Sequence, residues 1–232
     1  MPVTNGTKPG LTGNQLKIIA MIAMTCDHVG FQLLPQLTFL RWIGRLSMPI
    51  YAYMIAEGCR HTRSRRNYLL RLAGMAALCQ IVYYFAMGSL YQCILVTFTL
   101  SVCMIYAIDG LKKLKTQAFL FFGPLSSIAM AAACGFLCYI MPILLEGFAI
   151  DYGIWGIMLP VMLYVGKRKW AWMAAGLIPM AMDFGGDQWL ALLTIPLLML
   201  YNGQRGTAKI GRFFYWYYPL HMVVIYGLSL IL

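Results

Sequence analysis

Residues 16–34 read LKIIAMIAMTCDHVGFQLL, an apolar run that is interrupted by Asp27 and His28. Crossing the hydrocarbon core of a bilayer takes about 20 helical residues, so the run is long enough for a transmembrane helix. It is also too long for the apolar core of a cleavable signal peptide. A charged side chain at hydrocarbon depth is costly and is by default a candidate for function. The run therefore predicts a membrane helix that carries part of a functional site.

The composition of the whole chain also indicates a membrane protein. Of its 232 residues, 61% are hydrophobic and only 11% are charged, against about a quarter charged in soluble domains. The predicted fold is all-α, a polytopic transmembrane helical bundle of about nine spans, with a short cytoplasmic tail over residues 1–15 and a single domain over residues 16–232. The predicted spans are 16–34, 37–56, 68–87, 91–109, 117–141, 146–166 and 213–232, and the shorter stretches 170–182 and 188–201 form either two tight spans or a hairpin.

Sixteen of the eighteen Lys and Arg residues lie in clusters between these runs, and the exceptions are Arg41 and Arg45. Cytoplasmic loops collect Lys and Arg, and all the clusters fall on one side of the predicted bundle. The N-terminus is therefore predicted to be cytoplasmic, in a multi-pass protein of the inner or plasma membrane. Arg41, one turn nearer the outer surface than Arg45, is expected to snorkel. The clusters are Lys8 and Lys17; Arg60, Arg63, Arg65, Arg66 and Arg71; Lys112, Lys113 and Lys115; Lys167, Arg168 and Lys169; and Arg205, Lys209 and Arg212.

The charge and cysteine patterns do not indicate a nucleic-acid partner, a metal site or a disulfide framework. The net charge of +11 would suggest nucleic acid in a soluble protein, but here the positive residues punctuate loops. The seven cysteines lack metal-ligand spacing and are odd in number, so neither a metal site nor a disulfide framework is predicted.

Three predicted helices bring titratable groups to similar depth. At 1.5 Å per residue from the nearest basic cluster, Asp27, His28 and His221 lie about 15 Å into the membrane, and Arg45 lies slightly past the midplane. Arg45 is the expected partner of Asp27, although that pair can equally be a structural clip. An imidazole suits a general base or a transient acyl acceptor. The alternatives are a hydrogen-bonded packing role for His28 and interfacial aromatic anchoring for His221.

Polar residues at the predicted cytoplasmic face indicate contact with anions. Residues 57–66 read EGCRHTRSRR, and guanidinium groups bind phosphate oxygens in bidentate fashion. The same stretch can instead set orientation and touch anionic lipid headgroups. A second polar turn, residues 201–206 with the sequence YNGQRG, either presents backbone amides to an anion or simply ends a helix.

An ordered set of short motifs across nearly the whole chain resembles the TraX family, which is linked to N-terminal acetylation of pilin. The stretch 110–145 carries little of this resemblance. The motifs are Asn14-Gln15-Leu16-Lys17, Asp27-His28, Gly44-Arg45 with Pro49, Glu57-Gly58, His61-Thr62, Tyr68-Leu69-Leu70-Arg71-Leu72, Phe98-Thr99, Asp151-Tyr152-Gly153, Tyr201-Asn202-Gly203 with Arg205-Gly206, and Tyr218-Pro219-Leu220-His221.

The family is also distantly similar to multi-pass membrane acyltransferases that take acetyl groups from cytosolic acetyl-CoA. Under that resemblance His28 matches the first-helix histidine and is expected to be the base or acyl carrier, and the CoA nucleotide is expected near residues 60–66. The other family motif positions are Arg45, Glu57, His61, Arg71 and His221.

These observations predict an integral-membrane acetyltransferase that moves an acetyl group from acetyl-CoA, as co-substrate, to an amine or hydroxyl of a peptide, lipid or glycan acceptor. Membrane lipids are the other expected partners. The rivals are a small proton-coupled transporter that uses Asp27, His28, Arg45 and His221 as a relay, and an assembly factor whose buried charges only fix helix packing. The candidate catalytic residues are His28, Asp27, Arg45 and His221, and the candidate acetyl-CoA-binding residues are Glu57, Arg60, His61, Arg63, Arg66, Arg71, Asn202 and Arg205.

Overall fold

The computed structural model describes residues 9–113, 122–207 and 211–231, and in these residues the chain is mostly helical, as predicted. Most of the predicted tail over residues 1–15, and the cluster members Lys8, Lys115 and Lys209, lie outside the described residues. The α-helices are α1 (Gly13–Gln32), α2 (Thr38–Gly44), α3 (Ser47–His61), α4 (Arg65–Met87), α5 (Ile94–Lys113), α6 (Phe122–Gly135), α7 (Met141–Leu144), α8 (Gly153–Val165), α9 (Lys169–Phe184), α10 (Thr194–Met199) and α11 (Gly211–Ser229).

Three shorter features complete the described secondary structure. A π-helical turn, Phe136–Ile140, joins α6 to α7, and a 3₁₀ helix, Gly186–Leu193, precedes α10. Two short strands, β1 (Tyr91–Gln92) and β2 (Ala149–Ile150), pair in parallel. Much of the stretch predicted as 188–201 is therefore 3₁₀ helix followed by the six residues of α10.

The chain forms two compact units. Unit 1 comprises the described residues of Met1–Met54 and Phe184–Leu232, and unit 2 comprises those of Ile55–Asp183. Asp27, His28, Arg45 and His221 all belong to unit 1, whereas residues 57–71 belong to unit 2.

Helix α1 begins at Gly13, three residues before the apolar run. Thr12 caps it, since its hydroxyl accepts from the Gln15 backbone N–H at 3.3 Å while its own N–H donates to the Gln15 side chain at 2.8 Å. This reciprocal pair satisfies two of the N–H groups that a helix start leaves open. Leu11 and Tyr201 also pair as a parallel bridge, so the entry to α1 is tied to the turn that precedes α11.

The prediction of one continuous helix over residues 37–56 is wrong, because the chain breaks between α2 and α3. Pro49 explains the break: in a continuous helix its ring would clash with the carbonyl of Arg45, four residues earlier. Pro49 instead occupies the first turn of α3, where no N–H is required. The break falls after Arg45, whose backbone N–H still donates to the Arg41 carbonyl at 3.2 Å, so the two arginines keep their i, i+4 spacing at the end of α2.

Two helical stretches among the described residues are long and apolar enough to cross a membrane, Arg65–Phe85 and Leu125–Leu144. They overlap the predicted spans 68–87 and 117–141. Each carries a strongly exposed apolar side chain near its end, Phe85 at 81% and Ile143 at 80%. Such exposure is expected of a surface that faces lipid tails and not water.

Candidate functional site

The centre of the candidate site is a pair of histidines from the two ends of the chain. His28 on α1 and His221 on α11 lie with Nδ1 of His28 2.8 Å from Nε2 of His221. Nδ1 of His221 donates to the Tyr217 backbone carbonyl at 2.9 Å, one turn earlier on α11. The two residues are 193 positions apart in the sequence. The sequence analysis predicted a similar depth in the membrane for them, but not that they would be in contact.

Aromatic residues of α11 hold His221 in place. His221 is only 7% exposed, and the Tyr217 ring stacks on it with ring centres 5.1 Å apart and an interplanar angle of 5°. The Tyr217 hydroxyl lies 2.6 Å from the Thr25 hydroxyl of α1, which donates to the Met21 carbonyl. Because the single Thr25 proton is used in that bond, the Tyr217 hydroxyl donates to Thr25. Tyr217 thus anchors α11 to α1 beside the imidazole pair.

The partner of Asp27 is Arg41, and the expectation that Arg45 fills this role is wrong. Nη1 of Arg41 lies 2.7 Å from Oδ2 of Asp27, and its guanidinium stacks over Phe31 at 5.1 Å. The side chains of Asp27 and Arg41 are 18% and 25% exposed, so the pair is largely shielded from water. Arg41 was expected to snorkel, but it is the cation that pairs with the Asp27 carboxylate on α1.

Two buried polar atoms near this ion pair have no hydrogen-bond partner among the described residues. They are Oδ1 of Asp27 and Nε of Arg45. A buried polar group without a partner costs about 1–3 kcal/mol, and such groups point to strain, a catalytic role or a molecule that binds there. Arg45 thus retains donor capacity at the end of α2, on the side of α1 that carries Asp27.

Close packing of α1 on α2 depends on glycine. A Cβ at Gly44 would overlap the carboxylate of Asp27, and a Cβ at Gly30 would come within 2.8 Å of Cβ of Leu40. Small residues let helix backbones approach each other, as is common between membrane helices. Gly44 therefore allows the Asp27 carboxylate to lie against the end of α2.

We expect Gly44→Ala to destabilise the protein by about 1–3 kcal/mol, the usual cost of forcing extra atoms into a packed interior. The measurement is the thermal midpoint of the detergent-solubilised protein. Gly74→Ala is the matched control, because a Cβ there meets nothing within 4 Å and alanine favours a helix over glycine. Equal midpoints for the two variants would contradict the close contact between Gly44 and Asp27.

The polar turn over residues 201–206 also belongs to unit 1, and its backbone is bound to the start of α1. Gly13 and Asn14 donate to the carbonyls of Gln204 and Arg205 at 2.8 and 3.0 Å. The side chain of Asn202, a predicted ligand of acetyl-CoA, donates to the Gly10 carbonyl and accepts from the Gln204 backbone N–H. The geometry therefore assigns Asn202 a structural task.

Two cations remain close together at this end of unit 1. Lys17 and Arg205 lie near enough for their positive charges to repel each other, and Nζ of Lys17 lies 5.5 Å from the centre of the Phe214 ring. Like charges held together raise the free energy of the folded protein. An anion bound between these two side chains would relieve that repulsion.

In unit 2, Glu57 is the acceptor at the centre of a basic cluster. Its Oε1 lies 2.6 Å from Arg60 and 3.1 Å from Lys169, and its Oε2 lies 3.4 Å from His61. Burial opposes ionisation, but hydrogen bonds and charges from Lys169 and Arg60 outweigh it and lower the pKa of Glu57. Glu57 is therefore an ionised anchor for its neighbours. A carboxylate in this position does not favour a phosphate ligand.

The predicted phosphate-binding arginines of unit 2 fall into two groups. Arg60 donates to the carbonyls of Leu163 and Tyr164 at the end of α8, which is a C-terminal capping role. Arg71 donates to the carbonyl of Asn67 at 3.1 Å. Only Arg63 and Arg66 are exposed and without a hydrogen-bond or ion-pair partner within the described residues.

A second ion pair in unit 2 joins α4 to α5. Arg65 lies 2.6 Å from the Asp109 carboxylate, whose Oδ2 also accepts from the Tyr164 hydroxyl. Ser64 caps α4 by accepting from the Asn67 backbone N–H at 3.3 Å. These contacts organise the ends of the helices. In the part of the chain that is described, no group of three metal-ligating side chains occurs.

Sequence reasoning missed Thr25, Arg41 and Tyr217 as parts of the site. Tyr217 had a readable signal, since it lies one helical turn before His221 and so shares its face. The signal for Thr25 was weaker. It lies one helical turn before Val29, on the face of α1 beside His28. Arg41 was misassigned because depth along the helix does not reveal which guanidinium turns toward Asp27.

The fold and the site define a class: an all-α protein with candidate membrane-crossing helices and a buried histidine pair beside an Asp–Arg ion pair. Comparison with known proteins names the family. The TraX protein family matches residues 12–229, and the chain belongs to it.

Two curated proteins resemble the chain. It is 27% identical over 241 residues to the probable fimbrial assembly protein FimC, serogroup H1, of Dichelobacter nodosus, covering 91% of this chain and 93% of that protein. It is 53% identical over 38 residues to an uncharacterized protein of Rickettsia prowazekii (strain Madrid E), covering 16% of this chain and 15% of that protein. No solved structure matches the chain significantly.

Proposed function

We propose that the protein is an integral-membrane acetyltransferase that uses acetyl-CoA and in which Nε2 of His28 is the general base. The observation that carries this proposal is the hydrogen bond between His28 and His221. It occupies Nδ1 of His28 and leaves Nε2 without a partner among the described residues. A nucleophile-activating base whose other ring nitrogen is held by a third group is the usual arrangement in acyl transfer.

The reaction balances with the groups present. Nε2 of His28 takes the proton from the acceptor amine or hydroxyl as the acceptor attacks the thioester carbonyl of acetyl-CoA. The new C–N or C–O bond forms, the C–S bond breaks, and the departing thiolate takes the proton back from His28. The negative charge that develops on the carbonyl oxygen needs a donor, and the free Nε–H of Arg45 supplies one. Asp27, held by Arg41, keeps α1 in position.

The anionic part of acetyl-CoA requires cations outside the apolar interior. Lys17, at the start of α1, and the nearby Arg205 are the candidate phosphate ligands in unit 1. Guanidinium and ammonium groups are the usual ligands of phosphate. Arg63 and Arg66 of unit 2 are the second candidate.

The proposed setting is a nine-span bundle with a cytoplasmic N-terminus. Its support is the distribution of Lys and Arg, which all punctuate one side of the apolar runs apart from Arg41 and Arg45. A site at mid-depth lets the donor arrive from the cytosol and the acceptor from the membrane or beyond it. The name of the Dichelobacter relative, a probable fimbrial assembly protein, favours a pilin-like peptide among the possible acceptors.

The first experiment is ligand-dependent stabilisation of the purified protein. We expect acetyl-CoA to raise the thermal midpoint, acetyl-CoA without its 3′-phosphate to raise it less, and nucleotides without the pantetheine arm to leave it nearly unchanged, by mass action. Arg205→Gln is expected to weaken acetyl-CoA binding about tenfold, or about 1.4 kcal/mol. Arg168→Gln, which removes one exposed charge, is the matched control.

Other outcomes would contradict parts of the proposal. Weakened binding in Arg63→Gln and Arg66→Gln but not in Arg205→Gln would place the phosphates on unit 2. No stabilisation and no acetyl transfer, together with proton-coupled solute flux in liposomes, would favour the transporter.

A further inference from the structure

The hydrogen-bond chain through the histidine pair defines where each proton lies. The Tyr217 carbonyl can only accept, so Nδ1 of His221 carries the proton in their 2.9 Å hydrogen bond. A neutral His221 with a proton on Nδ1 has a lone pair on Nε2. Nδ1 of His28, 2.8 Å away, must then carry a proton and donate it. The lone pair of His28 is therefore on Nε2.

This arrangement follows from the fold and does not depend on a bound ligand. The carbonyl that starts the chain belongs to α11 itself, and Tyr217 stacks on His221 and hydrogen-bonds to Thr25 of α1. Tyr218 approaches His221 edge-on, with ring centres 5.5 Å apart. The imidazole of His221 is therefore restrained on two sides, and its Nε2 is directed at His28.

We infer that His221 is a positioning residue that holds His28 in the tautomer with the proton on Nδ1 and shares the proton that His28 takes up. This inference rests on the proposed function, in which Nε2 of His28 is the base. When His28 binds the acceptor's proton at Nε2, its Nδ1 proton can shift toward Nε2 of His221. His221 can accept that proton because its own Nδ1–H stays on the Tyr217 carbonyl. A fixed tautomer is the usual result of such a hydrogen bond to the second ring nitrogen.

The direct test is nitrogen NMR of the full-length protein, labelled with ¹⁵N-histidine in nanodiscs. The chain has three histidines, so a His61→Gln variant assigns one signal and leaves the pair. We expect both remaining histidines to be protonated on Nδ1 in the neutral state. Protonation of His221 on Nε2, or of His28 on Nε2, would overturn the inference.

Two substitutions at position 221 separate positioning from packing. The Gln side chain in His221→Gln can accept from Nδ1 of His28 through its carbonyl, so the His28 tautomer and about a tenth of the rate are expected to remain. His221→Leu fills similar space without an acceptor, and we expect His28 to lose its tautomer preference and the rate to fall about a hundredfold. Equal rates in the two variants, with equal thermal midpoints, would contradict a positioning role.

The two proposals fail in different ways. The expected tautomers without any acetyl transfer would sink the proposed function and leave the hydrogen-bond chain standing. Acetyl transfer with His221 protonated on Nε2 would keep the acetyltransferase and remove His221 from the role inferred for it.

Discussion

His28→Ala is expected to lower the rate of acetyl transfer about a thousandfold while the protein still folds and binds acetyl-CoA. Removal of a positioned general base costs about 10²–10⁴ in rate, and the lone pair of the other imidazole in the site, His221, faces His28. The measurement is transfer from acetyl-CoA under single-turnover conditions, which separates chemistry from binding. Binding should be preserved because the proposed phosphate ligands are at the other end of α1.

The control for this variant is Ile22→Ala, which removes an exposed side chain from the same helix and should leave the rate unchanged. Added imidazole is expected to restore part of the activity of His28→Ala by occupying the vacated space as an external base. Activity within threefold of the parent protein would rule out His28 as the base. A loss of thermal stability as large as that of Gly44→Ala would instead make His28 a packing residue.

Arg41→Gln is expected to lower the stability of the protein, whereas Arg45→Gln is expected to lower the rate of acetyl transfer. Breaking a fully buried ion pair costs about 3–5 kcal/mol, and because Asp27 and Arg41 keep partial exposure, we expect Arg41→Gln to cost about 2–3 kcal/mol. Arg45 has no ion pair in the described residues, so Arg45→Gln should leave the thermal midpoint nearly unchanged. Its rate should fall by about 10²-fold, the usual loss when one oxyanion donor is removed.

A double-mutant cycle decides between the two arginines. Asp27→Asn combined with Arg41→Gln should cost less than the sum of the single substitutions, whereas Asp27→Asn and Arg45→Gln should be closer to additive. The readout is the thermal midpoint of the purified protein in one detergent. A large coupling between Asp27 and Arg45, with none between Asp27 and Arg41, would contradict the observed ion pair.

The helical class could be predicted from the sequence alone, and the sequence also singled out a small set of candidate site residues. Apolar runs of about 20 residues are long-range signals that survive errors at their ends, so α1 and α4 lie close to their predicted bounds. The motif positions Asp27, His28 and His221 were selected by a simple physical cost, the burial of polar groups in apolar surroundings.

Lateral pairing was beyond sequence reasoning, because it depends on how helices rotate and break. Arg45 was assigned to Asp27 on depth alone, but the guanidinium that reaches the carboxylate is that of Arg41, one turn earlier on α2. Arg60 was predicted as a phosphate ligand because its charge was visible, whereas the carbonyls of α8 that use this charge were not. The direction of a side chain requires tertiary structure.

The distance along the chain between His28 and His221 has a consequence for biosynthesis. During translation α1 is made first and α11 last, and contacts between distant residues form late because the intervening chain must be ordered first. The Thr25–Tyr217 bond and the pairing of Leu11 with Tyr201 also wait for the end of the chain. A chain that stops before residue 217 lacks the second imidazole, and under the proposed mechanism it would have no His221 to position His28. Under that mechanism, the onset of activity would coincide with the completion of synthesis.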